Sequence, residues 1–430
     1  MVTGVMTPAE FVPRTPLSVE DTGLNMGLLA DLALKILYYE SYLAGRDLAD
    51  RMGLSFPGVV ASILEFLKRE KLSEVRSATG RGGLSESSYE YVLTDRGRAM
   101  AREALDRCQY AGVAPVTLRD YVVSVQSQGL KEIAVHRKEL RQALSALVLS
   151  EHTFEQIGPA INSGRSIFLF GPPGDGKTSI AEAIGRLLME GDMYIPRALE
   201  VEGQIIKVFD EVNHVLAPAD PSRRVDDRWA RIRRPFIQVG GELTLEGLDL
   251  VYNSDYKYYE APFQIKANGG IFLIDDFGRQ LVRPTDLLNR WIVPLDKRID
   301  FLTLHTGRKF EVPFELLIVF STNLEPQELV DEAFLRRIRH KIELIDPSWE
   351  EYAEIFRRTA TAKQVPFSEP ALAYLIREHY LKPQRSPRAC HPRDLLDQIL
   401  DISRYLNVAP AMSKDLVDRA AASYFVNFEV

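Results

Sequence analysis

Residues 171–178 read Gly171-Pro172-Pro173-Gly174-Asp175-Gly176-Lys177-Thr178, with Ser179 next. They satisfy the pattern G-x-x-x-x-G-K-[ST], whose residue types suit a polyphosphate. Glycines let successive backbone N–H groups turn inward, and a following helix start adds positive potential. Lys177 would reach the β- and γ-phosphates, and the Thr178 hydroxyl would ligate Mg²⁺. The alternative is an ordinary Gly/Pro turn.

A second cluster follows an apolar run. Gly270-Ile271-Phe272-Leu273-Ile274 ends in Asp275-Asp276. Ligands gather at the carboxyl ends of strands in a doubly wound sheet, so Asp275 is placed to hold Mg²⁺. Asp276 is placed to orient or deprotonate an attacking water. Strand-end carboxylates are common; beside the glycine-rich loop they gain meaning.

These residues need a scaffold, and the surrounding pattern supplies one. The loop sits between the apolar strand Ser166–Phe170 and a helix with Ile180, Ile184, Leu187 and Leu188 on one stripe. Strand and helix alternate to about residue 345, predicting an α/β fold: a parallel sheet with helices on both faces. Helical periodicity over 347–430 predicts a separate helical lid. Residues 131–148 and 151–163 read as two helices ahead of the first strand.

Residues 24–107 read as helix, helix, helix, hairpin, helix. The third helix, Ser55–Lys71, is expected to be capped by Ser55, with Val60, Ile63, Leu64 and Leu67 on one face. TGRGG at 79–83 is the expected hairpin tip. The phrase Tyr91-Val92-Leu93-Thr94-Asp95-Arg96-Gly97 resembles the end of many bacterial winged-helix domains. The chain thus divides into an extended or disordered arm (1–22), a winged-helix-like α+β domain (23–110), a linker and helix (111–150), a nucleotide-binding domain (151–346) with an insert near 195–265, and the lid.

With these motifs in place, residues 130–430 resemble the AAA+ ATPase superfamily. Leu317-Ile318-Val319-Phe320-Ser321-Thr322-Asn323 is similar to the sensor-1 strand, where the Asn helps position the lytic water. Asp331–Arg337 resembles the segment bearing arginine fingers, so Arg336 or Arg337 would act on a neighbouring subunit's γ-phosphate. His391-Pro392-Arg393-Asp394-Leu395 opens a helix as sensor 2 does, which implies that Arg393 touches the γ-phosphate in cis. A hairpin over Asp300–Pro313, just before the sensor-1 strand, is similar to the MoxR-like branch. Each segment also has a plain alternative: a strand-end turn at Asn323, a solvated face at Arg336 and Arg337, a helix-start arginine at Arg393.

Two departures stand out. The family's usual Asp-Glu pair is Asp-Asp here, so the attacking water must sit closer or hydrolysis is slow. Thr178 and Asp275 also stand 97 positions apart, which is long for the family. The extra length holds an expected hairpin at 198–210 and SRRVDDRWARIRRP at 222–235, followed by Tyr252, Tyr256, Tyr258, Tyr259 and Phe263. Interleaved arginine and aromatic residues suit nucleic acid. They equally suit a polypeptide in a pore or a subunit interface, and the chain's net charge of −7 favours those two.

The 430 residues hold 46% hydrophobic and 26% charged positions, which excludes extensive disorder. Cys108 and Cys390 form no metal-binding or disulfide pattern. No apolar run approaches a bilayer span and the N-terminus shows no secretory pattern, so no membrane role and a cytoplasmic setting are expected. The resemblance implies ATP and Mg²⁺ as cofactors, a homo-oligomeric ring with a hexamer expected, and hydrolysis that remodels a protein client. The alternative is an ATP-switched DNA-binding protein acting through the N-terminal module, an accessory of transcription, transposition or repair. The first turns of the third helix carry no charge, which leaves DNA and protein docking equally open there.

Overall fold

The computed structural model describes residues 11–78, 86–130, 134–218, 224–329 and 335–425. Its N-terminal part contains α1 (Met26–Glu40), β1 (Tyr42–Ala44), α2 (Gly45–Met52), α3 (Ala61–Arg69), β2 (Ser73–Ala78), β3 (Tyr89–Leu93) and α4 (Asp95–Arg107). The strands form an antiparallel sheet in the order β1-β3-β2. Asn25 caps α1 through a 2.8 Å bond from the Leu28 N–H, and Thr94 caps α4 through Gly97 at 3.0 Å. Leu29, Leu37, Leu48, Ile63, Leu64 and Leu67 share the core beneath.

The third helix departs from expectation. Regular helix begins at Ala61 because Pro57 has ψ 132° and Gly58 has φ 86°. Ser55 caps nothing; its hydroxyl donates to Pro16 O at 3.0 Å and Pro57 O at 3.2 Å. A Cβ on Gly58 would stand 2.0 Å from Leu17 O, so the incoming chain packs against this turn. The expected hairpin tip at 79–83 lies outside the described residues.

Stretches expected to be linker and helix carry other structure. The start of the expected linker is tied to its surroundings: the Gln109 N–H bonds Tyr256 O at 2.9 Å and the Ala114 N–H bonds Met52 O at 2.8 Å. β4 (Val116–Thr117) and α5 (Leu118–Ser127) follow directly. Of the helix expected over 131–148, α6 covers Arg137–Ala143, and residues 144–149 run on without regular helix toward α7 (Glu151–Asn162).

Next come β5 (Ser166–Phe170), α8 (Lys177–Leu188), β6 (Asp192–Pro196), β7 (Ala198–Val201), β8 (Gln204–Lys207), β9 (Trp229–Arg233), β10 (Phe236–Val239), β11 (Val251–Asn253), β12 (Tyr258–Glu260), α9 (Phe263–Lys266), β13 (Ile271–Ile274), α10 (Pro284–Lys297), β14 (Ile299–Thr303), β15 (Lys309–Pro313), β16 (Leu317–Thr322), α11 (Pro326–Leu329) and β17 (His340–Glu343). The central sheet is parallel, in the order β10-β13-β16-β5-β17. Its three inner strands, β13, β16 and β5, are largely apolar because both faces are covered there, whereas the edge strand β17 reads His-Lys-Ile-Glu. Phe168, Phe272, Ile274, Ile318 and Phe320 pack with Leu287, Trp291 and Leu295 of α10 on one face. Ile167, Leu169, Ile271, Leu273 and Val319 pack with Phe154 and Ile157 of α7 and Ile180 and Ile184 of α8 on the other. Alternation of this kind follows from the two-residue period of a strand.

The insert builds a second sheet, β11-β12-β8-β7-β4, onto which the antiparallel β14–β15 hairpin packs through Leu302, Leu304 and Val312. The expected hairpin at 198–210 is present as β7–β8, with Leu199 opposite Ile206. Three arginines of the insert turn inward. Arg228 is buried against Asp226 at 2.8 Å, and Arg231 pairs with Asp192 at 2.9 Å. Arg234 donates to Gln128 O at 2.8 Å and Gly269 O at 2.6 Å. Tyr259 is buried, and Phe263 stacks on Phe272 at 5.9 Å. These side chains hold the insert together, where the sequence alone suits a gripping surface or an interface. Ser222 and Arg223 lie outside the described residues, and Arg224 and Arg233 are exposed.

Four helices close the chain: α12 (Trp349–Ala362), α13 (Glu369–Ile376), α14 (His391–Leu406) and α15 (Lys414–Tyr424). Tyr352, Phe356, Tyr380, Leu395, Leu396 and Ile399 form their core. Among the described residues no helix is long and apolar enough to cross a membrane.

Candidate functional site

Strand register brings the site together. Thr322 lies opposite Phe170, and Ile274 lies opposite Phe320, so β5, β13 and β16 end at one level. From those ends the chain issues as the glycine-rich loop, as Asp275-Asp276 and as Asn323.

The loop needs its glycines. Gly171, Gly174 and Gly176 have φ of 136°, 93° and 85°, where side chains are strained. A Cβ on Gly171 would also stand 2.0 Å from Leu344 O. α8 starts at Lys177, so the first N–H groups of a twelve-residue helix face the loop. The Lys177 ammonium donates to Gly171 O at 3.0 Å and Pro172 O at 2.7 Å. Burial pushes its pKa down, while Asp175, Asp276 and Asp275 oppose the shift.

The decisive distance lies between two residues remote in sequence. The Thr178 hydroxyl donates to Asp275 Oδ2 at 3.0 Å and Oδ1 at 3.2 Å. Gln238, at the neighbouring end of β10, donates to Asp275 Oδ2 at 3.2 Å. A hydroxyl and a carboxylate converging this closely are hard oxygen donors, and they fit Mg²⁺, which takes few protein ligands and fills its shell with water and phosphate oxygens. Asp276 stands in the left-handed region at φ 49°. Its Oδ1 accepts from Asn323 Nδ2 at 3.3 Å. Left-handed backbone at a non-glycine residue costs on the order of 1 kcal/mol or more and is characteristic of functional sites.

A cleft of about 390 Å³ unites these groups. Pro173 to Ser179, Asp275, Asp276, Asn323 and Arg393 line it. Gly171 and Pro172 act from behind, through their carbonyls. Arg393 reaches the cleft from the first turn of α14, with Nε 2.9 Å from Asp394 Oδ1.

Arg336 and Arg337 lie elsewhere. They precede β17, and the Ser166 hydroxyl at the start of β5 donates to Arg337 O at 3.4 Å. They therefore sit at the amino end of the sheet, roughly 13 Å from the loop at about 3.3 Å per residue. Arg337 donates to Asp296 Oδ2 at 2.9 Å, whereas Arg336 is exposed. Residues 331–334 of the same motif lie outside the described residues.

No motif signals the far wall of the cleft. Leu147, Val148 and Leu149 face Ile355, Arg358 and Thr359 of α12 there. Arg358 donates to Ser145 O at 2.8 Å, tying α12 to that wall. An apolar slot beside a phosphate-binding loop suits a flat heterocyclic base. Also unforeseen, residues 388–390 clasp the loop. Arg388 donates to Pro173 O at 2.7 Å, the Cys390 N–H bonds Gly174 O at 2.9 Å, and the Ala389 N–H bonds Asp175 Oδ1 at 3.2 Å. Asp175 is buried, and its Oδ2 has no partner among the described residues. Burial pushes its carboxyl up to about 6, with help from Asp346.

A family model described as a domain of unknown function (DUF8689) matches residues 348–423, the four C-terminal helices. No curated protein matches the sequence. Among solved structures, the chain is similar to the RuvB Holliday junction branch migration motor of Thermotoga maritima, at 15% identity and TM-score 0.34 over 70% of this chain and 74% of that one. Domain III of the replication initiation protein DnaA of Thermotoga maritima aligns at 13% identity and TM-score 0.38, over 67% and 98%. NtrX from Brucella abortus, in complex with ADP, aligns at 13% and 0.40, over 77% and 67%. At TM-scores below 0.5 these likenesses assign no activity, and the cleft stands on its own geometry.

Proposed function

We propose that the chain is an AAA+ ATPase of the MoxR-like kind. Lys177 and the α8 amides bind the β- and γ-phosphates of ATP, and the slot between 147–149 and α12 takes the base. Thr178 and Asp275 would hold Mg²⁺, which neutralises charge on the phosphates. Asn323 and Asp276 orient the attacking water, and Asp276 takes its proton as the water oxygen bonds the γ-phosphorus and the bond to the ADP oxygen breaks. Arg393 steadies the γ-phosphate from the lid.

The observation carrying this reading is the 3.0 Å approach of Thr178 to Asp275 within a cleft that also holds Lys177, Asp276 and Asn323. Polar side chains of these types on one loop–strand–strand junction match phosphoryl transfer and few other reactions.

The active form is a homo-oligomeric ring, proposed as a hexamer, in which an arginine of one subunit completes the neighbour's site. Support comes from the placement of Arg336 and Arg337 beyond reach of their own cleft. Hydrolysis would drive remodelling of a protein partner. The acidic net charge of −7 and the internal pairing of Arg228, Arg231 and Arg234 favour a protein over nucleic acid as client. The test is phosphate release from Mg-ATP by the full chain against protein concentration. Turnover per chain should rise steeply as the ring assembles, and Lys177→Ala should abolish it. Full activity in dilute monomer would remove the shared-site mechanism; activity surviving Lys177→Ala would remove the reading.

A further inference from the structure

We propose that Gln280 is a positioning residue for this hydrolysis, holding the backbone turn that aims the Asp276 carboxylate. The inference rests on the ATPase reading and deepens it. Gln280 lies outside every motif considered above, yet its amide is wholly engaged with the turn that follows β13. Nε2 donates to Asp275 O at 2.8 Å and Asp276 O at 3.1 Å, and Oε1 accepts the Gly278 N–H at 2.8 Å. One side chain therefore bonds three residues, Asp275, Asp276 and Gly278, of the segment that carries both carboxylates.

The turn it closes is strained where chemistry needs it. Asp276 is held at φ 49° and Gly278 at φ 103°. On the opposite side, β16 grips the same turn: the Phe277 N–H bonds Ser321 O at 2.7 Å, and the Thr322 hydroxyl donates to Phe277 O at 2.7 Å. Asn323, next along β16, donates to the Asp276 side chain. Gln280 and β16 thus clamp the turn from two sides, so a short aspartate side chain points at the sensor asparagine. Strain of this kind persists where surrounding bonds over-determine the backbone. Glutamine fits and glutamate does not, because the two carbonyl oxygens require a donor.

The experiment compares wild type, Gln280→Ala, Gln280→Met and Gln280→Glu as full chains, measuring kcat and KM for Mg-ATP beside ADP binding. Gln280→Ala and Gln280→Met should lower kcat about ten-fold or more, with KM and ADP affinity within about two-fold. Gln280→Glu should lose more at neutral pH, since a carboxylate then faces two carbonyls. If Gln280→Ala misfolds, the near-isosteric Gln280→Met decides. A kcat within two-fold of wild type in the folded variants overturns the proposal, as does a matched loss of kcat and ADP binding. Should the wild type bind ATP without hydrolysing it, the ATPase reading fails separately, and the crystal structure of Gln280→Met is decisive: Asp276 leaving its left-handed conformation upholds the clamp, and Asp276 unmoved removes it.

Discussion

The Thr178 hydroxyl donates to Asp275 Oδ2 across 3.0 Å, although 97 positions separate the two residues. The bond joins the first turn of α8 to the end of β13, where the proposed metal–triphosphate would meet protein oxygens. Replacing Thr178 with Val, or Asp275 with Ala, should lower Mg-ATP turnover by about two orders of magnitude or more. Nucleotide binding measured in excess chelator should fall far less, because Lys177 and the loop amides remain. Equal losses with and without Mg²⁺ would show that the pair is only a structural hydrogen bond.

Asp276→Asn keeps the shape and tolerates left-handed backbone, while removing the proton acceptor. Turnover should fall about 10²- to 10⁴-fold with ATP still bound. Single-turnover phosphate release and retention of labelled ATP on a desalting column check this. Unchanged release would take the base role away from Asp276.

Asp175→Asn addresses a carboxylate placed inside an anion-binding loop. Burial raises its carboxyl to about 6 in the folded chain, against 3.8 as the ordinary value. A raised carboxyl favours folding most when protonated, so its contribution is fully present below about pH 4 and is lost as pH rises through about 6. Asn removes that loss. The variant should be more stable than wild type at pH 7 to 8, by at most about 3 kcal/mol, with the gap closing below pH 4. Nucleotide affinity should rise as well, most clearly above pH 6. Denaturant titrations across pH 4 to 8 test the first point and ADP titrations the second; a gap that ignores pH would count against the buried carboxylate.

Gly174→Ala introduces a Cβ at φ 93°, 2.4 Å from the Cys390 sulfur. Strain and displacement of the 388–390 clasp together should cost about 1 to 3 kcal/mol. Combining it with Cys390→Ala should recover the steric share and leave the backbone share. Full recovery in the double variant would mean that the left-handed φ carries no cost. Urea unfolding of the single and double variants separates the two shares.

Arg336 is exposed while Arg337 is tied to Asp296, so Arg336 is the proposed finger. Arg336→Ala should cut turnover about 10³-fold or more and leave stability unchanged. Arg337→Ala should instead lower the unfolding temperature. Mixing Arg336→Ala with Lys177→Ala chains should restore part of the activity, because each supplies what the other lacks. No restoration at any ratio would place the finger elsewhere.

Local sequence determined the loop, the strands and the residue types at their ends. Gly171, Gly174 and Gly176 adopt the positive φ that their lack of a side chain allows, and IFLF, IFLI and LIVF are strands because only a doubly covered sheet buries such runs. Those are near-neighbour properties, written in contiguous residues. What the sequence left open was decided by packing between distant segments. Register alone set Thr178 beside Asp275. Whether an arginine is surface or core depended on meeting Asp226, Asp192 or a backbone carbonyl, so Arg228, Arg231 and Arg234, which suit a gripping surface in sequence, serve as internal bracing, while Arg224 and Arg233 stay exposed. Ser55 looked like a cap until Pro57 and Gly58 broke the turn. Residues 144–149 and 388–390 show no chemical motif; they matter because the fold carries one to the cleft wall and the other onto the loop, and no short-range pattern encodes a meeting between segments that far apart in one chain.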